Sequence, residues 1–110
     1  PGHTALTARV SALMEQSLDA PLTIPELARR AGTSPRSLQA VFQARLNTTP
    51  QAHYLSLRLA EALRLVRETD MALMDVALAT GFGSAAAFAR AFHAAHGQSA
   101  RALRRQQINP

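Results

Sequence analysis

Arg36 and Gln39 sit three residues apart in the segment Ser34–Gln43, "SPRSLQAVFQ". On a helix that spacing puts both side chains on one face, while Leu38, Val41 and Phe42 fall on the other. A guanidinium donates two parallel N–H bonds, and a carboxamide donates and accepts at once. Such heads suit flat acceptor pairs: carboxylates, phosphates, or the edges of nucleobases. In a second segment, Ser84–Gly97, Arg90 is the single arginine among seven alanines, with Phe88 and Phe92 at inward spacing. His93 and His96 stand three apart in the same segment, a spacing open to one shared metal ion. No third ligand is evident and the chain has no Cys, so no metal site is expected. No Ser/His/Asp grouping, Gly-rich phosphate loop or paired-carboxylate arrangement occurs. Neither catalysis nor a cofactor is therefore expected.

The elements that would position these residues read as helices throughout, because every long apolar pattern has helical period and none alternates. Leu6, Val10, Leu13, Met14 and Leu18 mark a first helix, closed by Asp19-Ala20-Pro21. Thr23 and Glu26 form a capping-box pattern around Pro25, opening a helix that stops at Gly32. Ser34-Pro35 opens the next, which ends at Asn47, a residue tolerant of left-handed backbone. Thr49-Pro50 starts the longest, running to about Glu68, with Tyr54, Leu55, Leu59, Ala62, Leu63 and Val66 spaced for burial. Thr69-Asp70-Met71 breaks it. A last short helix runs from Ser99 to about Gln106, before a frayed tail.

Within this series the chain repeats itself. Leu27-Ala28 and Gly32 recur 49 residues on as Val76-Ala77 and Gly81; Leu38, Phe42 and Asn47 recur 50 residues on as Phe88, Phe92 and Gly97. One residue is inserted between, in the second turn. Each copy is a helix, a Gly-containing turn and a second helix, with Ala28 or Ala77 small enough for close helix approach. Two matched helix-turn-helix units point to duplex DNA as partner. The net charge of +5, carried by twelve Arg and no Lys, is compatible with that. An all-α protein–protein interaction module without DNA function is the alternative that the spacing leaves open. At 110 residues and 47% hydrophobic, the chain is sized for one core-forming domain. No apolar run reaches membrane-spanning length and no signal peptide opens the chain, so a cytoplasmic protein without membrane partners is expected.

The second copy carries Val76-Ala77, Gly81-Phe82, Ser84, Phe88, Arg90, Phe92, Gly97 and Ser99. In that spacing, together with "PLTIPELARRAGTSPRSLQAVFQARLNTTP" before it, the chain resembles the DNA-binding domain of the AraC/XylS family of bacterial transcription regulators. The resemblance runs from about Ala8 to Arg105. It implies an all-α fold of about seven helices, in which two helix-turn-helix subdomains (4–48 and 70–108) flank a linker helix (49–69) in one domain, 1–110. It implies sequence-specific binding of promoter or operator DNA by a regulator expected to be an activator, with both second helices entering successive major-groove segments. Members often touch RNA polymerase as well. A small-molecule effector would act through an N-terminal effector and dimerisation domain absent from this chain. The start at "PGH", without Met, fits an excised fragment.

Carried through the repeat, the outward face of the first reading helix, Arg36, Gln39, Ala40 and Gln43, becomes Ala86, Ala89, Arg90 and His93, with Ala85 beside them. These nine are the expected base-facing residues. Arg matches guanine O6/N7 and Gln matches adenine N6/N7, while Ala offers only contact with thymine methyls. Expected backbone contacts are Ser34, Pro35, Arg45, Thr49, Ser84 and Ser99, at helix starts or just after the reading helices. Three departures stand out: Ala100 follows Ser99 where the pattern has Pro, His96 holds the usually aromatic position that closes the second reading helix, and Ala72 occupies the cap position equivalent to Thr23. The missing cap predicts a less firmly anchored helix start.

Overall fold

The computed structural model describes the backbone of residues 2–108 and the side chains of 4–106. The opening Pro-Gly-His side chains and the tail beyond Gln106 lie outside the described side chains. Seven helices and no strand occur among the described residues: α1 (Gly2–Glu15), α2 (Ile24–Ala31), α3 (Pro35–Leu46), α4 (Pro50–Glu68), α5 (Leu73–Ala79), α6 (Ala85–His96) and α7 (Ala100–Ile108).

The punctuation read from the sequence is what starts and stops these helices. Thr23, in extended backbone, accepts the Glu26 amide at 3.2 Å, and Pro25 is accommodated in the first turn. Ser34, Thr49, Ser84 and Ser99 accept the amides of Ser37, Ala52, Ala87 and Ala102 at 3.0–3.1 Å. Asn47 (φ 54°) and Gly97 (φ 78°) end α3 and α6 in the left-handed conformation. Ala72, as expected, gives α5 no side-chain cap. The first helix is shorter than its apolar spacing suggests. It ends at Glu15, and Ser17 closes a tighter turn by donating to the Met14 carbonyl at 3.0 Å. Leu18 packs on the core from that turn rather than from the helix.

Two compact units result, Pro1–Leu57 and Arg58–Pro110, each with its own core. In the first, Val10, Met14, Leu27, Ala28, Leu38 and Phe42 are fully buried. Tyr54 closes the loop above them, its hydroxyl donating to the Ser17 carbonyl at 2.7 Å and accepting the Leu22 amide at 3.0 Å. In the second, Ala62, Val66, Val76, Ala77, Phe88 and Phe92 form the centre. The long helix supplies both cores, Tyr54 to the first and Leu59, Ala62, Leu65 and Val66 to the second. Leu55, expected inside, is instead 37% exposed, because it falls off both stripes.

The repeat is visible bond for bond. Gly32 and Thr33 donate to the carbonyls of Arg29 and Ala28; Gly81 and Phe82 donate to those of Leu78 and Ala77, at 2.9–3.2 Å in both copies. Gly32 (φ 77°) and Gly81 (φ 82°) hold the same left-handed angle, which a Cβ would strain. The inserted residue is therefore Gly83, after the paired hydrogen bonds and before the Ser84 cap. The repeat also reaches further back than the sequence pattern showed: Val10, Leu13 and Met14 of α1 match Leu59, Ala62 and Leu63 of α4, again 49 residues on. The second half of α4 thus plays in the second unit the part that α1 plays in the first.

Candidate nucleic-acid interface

Burial divides each of α3 and α6 along its length. In α3, Leu38, Val41 and Phe42 are buried, while Arg36, Ala40 and Gln43 are exposed and Gln39 is half-buried. In α6, Phe88 and Phe92 are buried, while Ala85, Ala86, Ala89, Arg90 and His93 are exposed. The residues expected to face a base thus lie on the outward side of their own helix in both units. Their partners differ. Arg36 and Arg90 make no ion pair or hydrogen bond among the described residues, so both guanidinium groups are available. Gln43 donates to Asn47 Oδ1 at 2.9 Å, one turn along, which holds its carboxamide near the end of α3.

The residues expected at the backbone of a bound duplex gather at helix starts. Ser34, Thr49, Ser84 and Ser99 each use an oxygen lone pair as a cap. The Ser34 hydroxyl proton goes to Ser37 Oγ at 3.0 Å, and the other three retain a donor. Pro35 is exposed in the first turn of α3. Arg45 is exposed, with Nη2 donating to Thr4 Oγ1. Beside α6 lies a groove of about 460 Å³, lined by Leu73, Met74, Ala77, Phe88, Ala89 and Arg101 among others. Met74 is 53% exposed there.

The two histidines part company. His93 is exposed, whereas His96 is half-buried, its ring 4.5 Å from that of Phe92 and its Nε2 donating to the Leu59 carbonyl at 3.0 Å. Among the described residues no group of three His, Cys, Asp or Glu could hold a metal ion. No described helix is long and apolar enough to cross a membrane.

Several arginines are committed elsewhere. Glu26 takes Arg29 at 2.5 Å and Arg30 at 2.9 Å; hydrogen bonds from these two guanidinium groups hold its carboxyl down at about 2, from an ordinary 4.5. Glu61 takes Arg64 at 2.7 Å, which lowers its pKa in the same way. Two further roles were not legible in the sequence. Arg58 donates to the Thr80 and Gly81 carbonyls at 2.7 and 2.9 Å. Arg104 donates to the carbonyls of Val66 at 3.2 Å and Met71 at 2.6 Å. A third, longer bond reaches Leu65. It caps the C-terminal end of α4. Positional matching of Arg9 with Arg58 was the one available signal.

Residues 27–106 match a family model described as a helix-turn-helix domain. A transcriptional regulator from Chromobacterium violaceum with an AraC-type DNA-binding domain superposes at a TM-score of 0.90, covering 99% of this chain and 97% of the other at 30% identity. This chain belongs to the AraC-type helix-turn-helix family. The DNA-binding domain of AdpA, a global transcriptional factor solved with a target DNA, is similar at 28% identity and a TM-score of 0.84, over 90% of this chain and 89% of that one. The regulator CdhR of Pseudomonas aeruginosa is 42% identical over 81 residues, 74% of this chain and 24% of CdhR. The chain spans about a quarter to a third of the length of CdhR and of the Pseudomonas aeruginosa regulators ArgR and GbdR, which it also matches. As a member of the family it is a DNA-binding domain of the transcription-regulator type.

Proposed function

We propose that the chain binds a defined site in duplex DNA through the outward faces of α3 and α6, each set into a major groove, and that it does so within a bacterial regulator acting in the cytoplasm. The observation that carries this reading is the matched split of burial. Leu38 and Phe42 are buried as Phe88 and Phe92 are, and Arg36, Ala40 and Gln43 are exposed as Ala86, Arg90 and His93 are, although the outward side chains themselves have diverged. On this reading Arg36 and Gln39 are the main base readers, with Gln43 near the end of α3. Arg90 is the one long donor central to α6, and His93 lies one turn behind it. Ala40, Ala85, Ala86 and Ala89 give close approach and contact with thymine methyls. The apolar groove beside Ala89 suits deoxyribose and methyl surface. Pro35, Arg45 and the four capping hydroxyls stand at the phosphates, where exposed helix amides also favour an anion. The proposed sense of regulation is activation, through contact with RNA polymerase, with any effector acting on a part of the protein outside this chain.

Selection of bound sequences from a random duplex pool tests the reading directly, followed by titration of the selected site across salt concentrations. Recovery of one motif supports it, and so does log K falling linearly with log salt. Arg36, Arg67, Arg90, Arg101 and Arg105 have no partner among the described residues, and Arg45 has only a neutral hydroxyl. At about 0.9 per neutralised phosphate, contacts from all six would give a slope of about −5. No duplex binding at low salt would sink the reading. A reporter driven by the selected site tests activation.

A further inference from the structure

Arg58 enters the second helix-turn-helix from outside it. Its Nε donates to the Thr80 carbonyl at 2.7 Å and its Nη2 to the Gly81 carbonyl at 2.9 Å, while its guanidinium carbon lies 4.3 Å from the centre of the Phe82 ring. Three consecutive residues of the turn are thus held by one planar group. The held carbonyls are those freed where α5 ends, and the ring is the one whose amide closes the Gly81 turn onto Ala77. Downstream, Gly83 and Ser84 lead straight into α6.

The repeat supplies an internal comparison. Arg9 is the equivalent of Arg58, 49 residues earlier, and it reaches the equivalent carbonyl, that of Ala31. That bond is 3.4 Å, from an exposed side chain, to one acceptor. The first turn is also the shorter, Gly32-Thr33-Ser34 with no inserted glycine. The second carries Gly83, with nothing within 4 Å of where its Cβ would be, and glycine in open space adds backbone freedom. The firm arginine grip occurs in the copy whose turn is longer and looser. It also occurs in the copy whose reading helix is mostly alanine, where the few polar contacts depend on placement of the helix itself.

From this, resting on the DNA reading above, we propose that Arg58 is a positioning residue for α6: it fixes the angle at which the turn delivers Ser84 and Ala85, and so sets base choice in the half of the site that α6 reads. Arg9 has the same place in the first unit with little of the effect. The guanidinium fork requires two carbonyls and a ring face at once, so a lysine, with a single ammonium, cannot reproduce it.

The test measures binding of the 110-residue chain and its Arg58→Lys and Arg58→Met variants to the selected site. Each base pair is substituted in turn, well below each protein's melting temperature. Arg90→Ala marks the α6 half and Arg36→Ala the α3 half. Both Arg58 variants are expected to flatten base discrimination in the α6 half by roughly three- to tenfold, a part of what one good base contact provides. The α3 half should keep its profile, and Arg9→Met should leave both halves close to wild type. Amide exchange at Phe82–Ala87 should quicken in the Arg58 variants without DNA present. A folded Arg58→Lys with an unchanged profile would overturn the assignment, and so would equal loss in both halves. Should Arg58→Met fail to fold, the lysine variant and its exchange rates decide. Failure of the unaltered chain to bind any duplex would instead remove the DNA reading on which the assignment rests.

Discussion

Ala72→Ser should stabilise the second unit. Ala72 precedes α5 with φ −58° and ψ 141°, in the extended region that a capping residue adopts, and no side chain satisfies the first amides of the helix. Its counterpart Thr23, at φ −71° and ψ 160°, accepts the Glu26 amide at 3.2 Å. A serine at 72 would set its oxygen at the corresponding Asp75 amide without changing the backbone. Ala72 is exposed, so the added hydroxyl meets no packed neighbour. Restoring a cap contributes about 1 kcal/mol, within a range of roughly 0.5–2.

Two structural details place the gain in the middle of that range. With Leu73–Ala79 the helix is only seven residues long, so one satisfied amide is a large share of its terminal bonding. Asp75 already sits in the first turn, where its charge opposes the helix dipole, and that benefit remains rather than being replaced. For a chain of this size 1 kcal/mol corresponds to about 4 °C in melting temperature. Calorimetry, with hydrogen exchange to place the effect in residues 73–79, reads it. Thr23→Ala is the mirror experiment, with a loss of similar size in the first unit. An unchanged or lower melting temperature for Ala72→Ser, beside a clear loss for Thr23→Ala, would refute the equivalence of the two caps.

Tyr54→Phe removes a hydroxyl that bonds both the Ser17 carbonyl and the Leu22 amide. It should cost about 1–3 kcal/mol by urea unfolding, since a half-buried amide and carbonyl lose their partner. Arg36→Ala should relax specificity at one end of the site by about 1–3 kcal/mol, whereas Ala86→Gln should change the preferred base at the other, both read by selection. Uniform weakening on all sequences after Arg36→Ala would mark that side chain as a phosphate clamp. The Glu26 carboxyl is lowered to about 2, so its ion pairs contribute fully above the ordinary 4.5 and are lost as pH falls from there toward about 2. A carboxyl carbon NMR titration with a midpoint near the ordinary value would contradict the double arginine contact.

The helix boundaries were readable because they are set locally. Pro25, Pro35 and Pro50 stand in first turns, and Gly32, Asn47 and Gly97 take left-handed angles at helix ends. Each acts within three or four residues of itself. Leu18 and Leu55 misled for opposite reasons. Leu18 has helical spacing yet packs from a turn, since burial requires a direction and not a helix. Leu55 lies where α4 passes from serving one core to serving the other, and no single apolar stripe describes such a helix. The outward residues of α3 and α6 followed from the repeat, which relates positions without reference to any fold. Arg58 and Arg104 did not, because what they hold, carbonyls at helix ends 22 to 39 residues away, is brought near only by packing.

How arginine is divided in this chain bears on what its charge can do. Twelve arginines look like a nucleic-acid footprint spread over 110 residues. Arg29, Arg30 and Arg64 are paired with Glu26 and Glu61, which offset two of their three charges, and Arg58 and Arg104 spend donors on helix-end carbonyls. Lysine could serve at a phosphate, but it lacks the planar fork that bridges two carbonyls or grips a carboxylate with two bonds. An all-arginine complement therefore allows one residue type to build the turn and cap of the second unit and also to face outward at Arg36 and Arg90. The alanine-rich face of α6 is then less an absence of readers than a surface whose few contacts depend on where the helix is held. Arg58, bonded to two carbonyls and lying over the Phe82 ring, grips the turn that holds it.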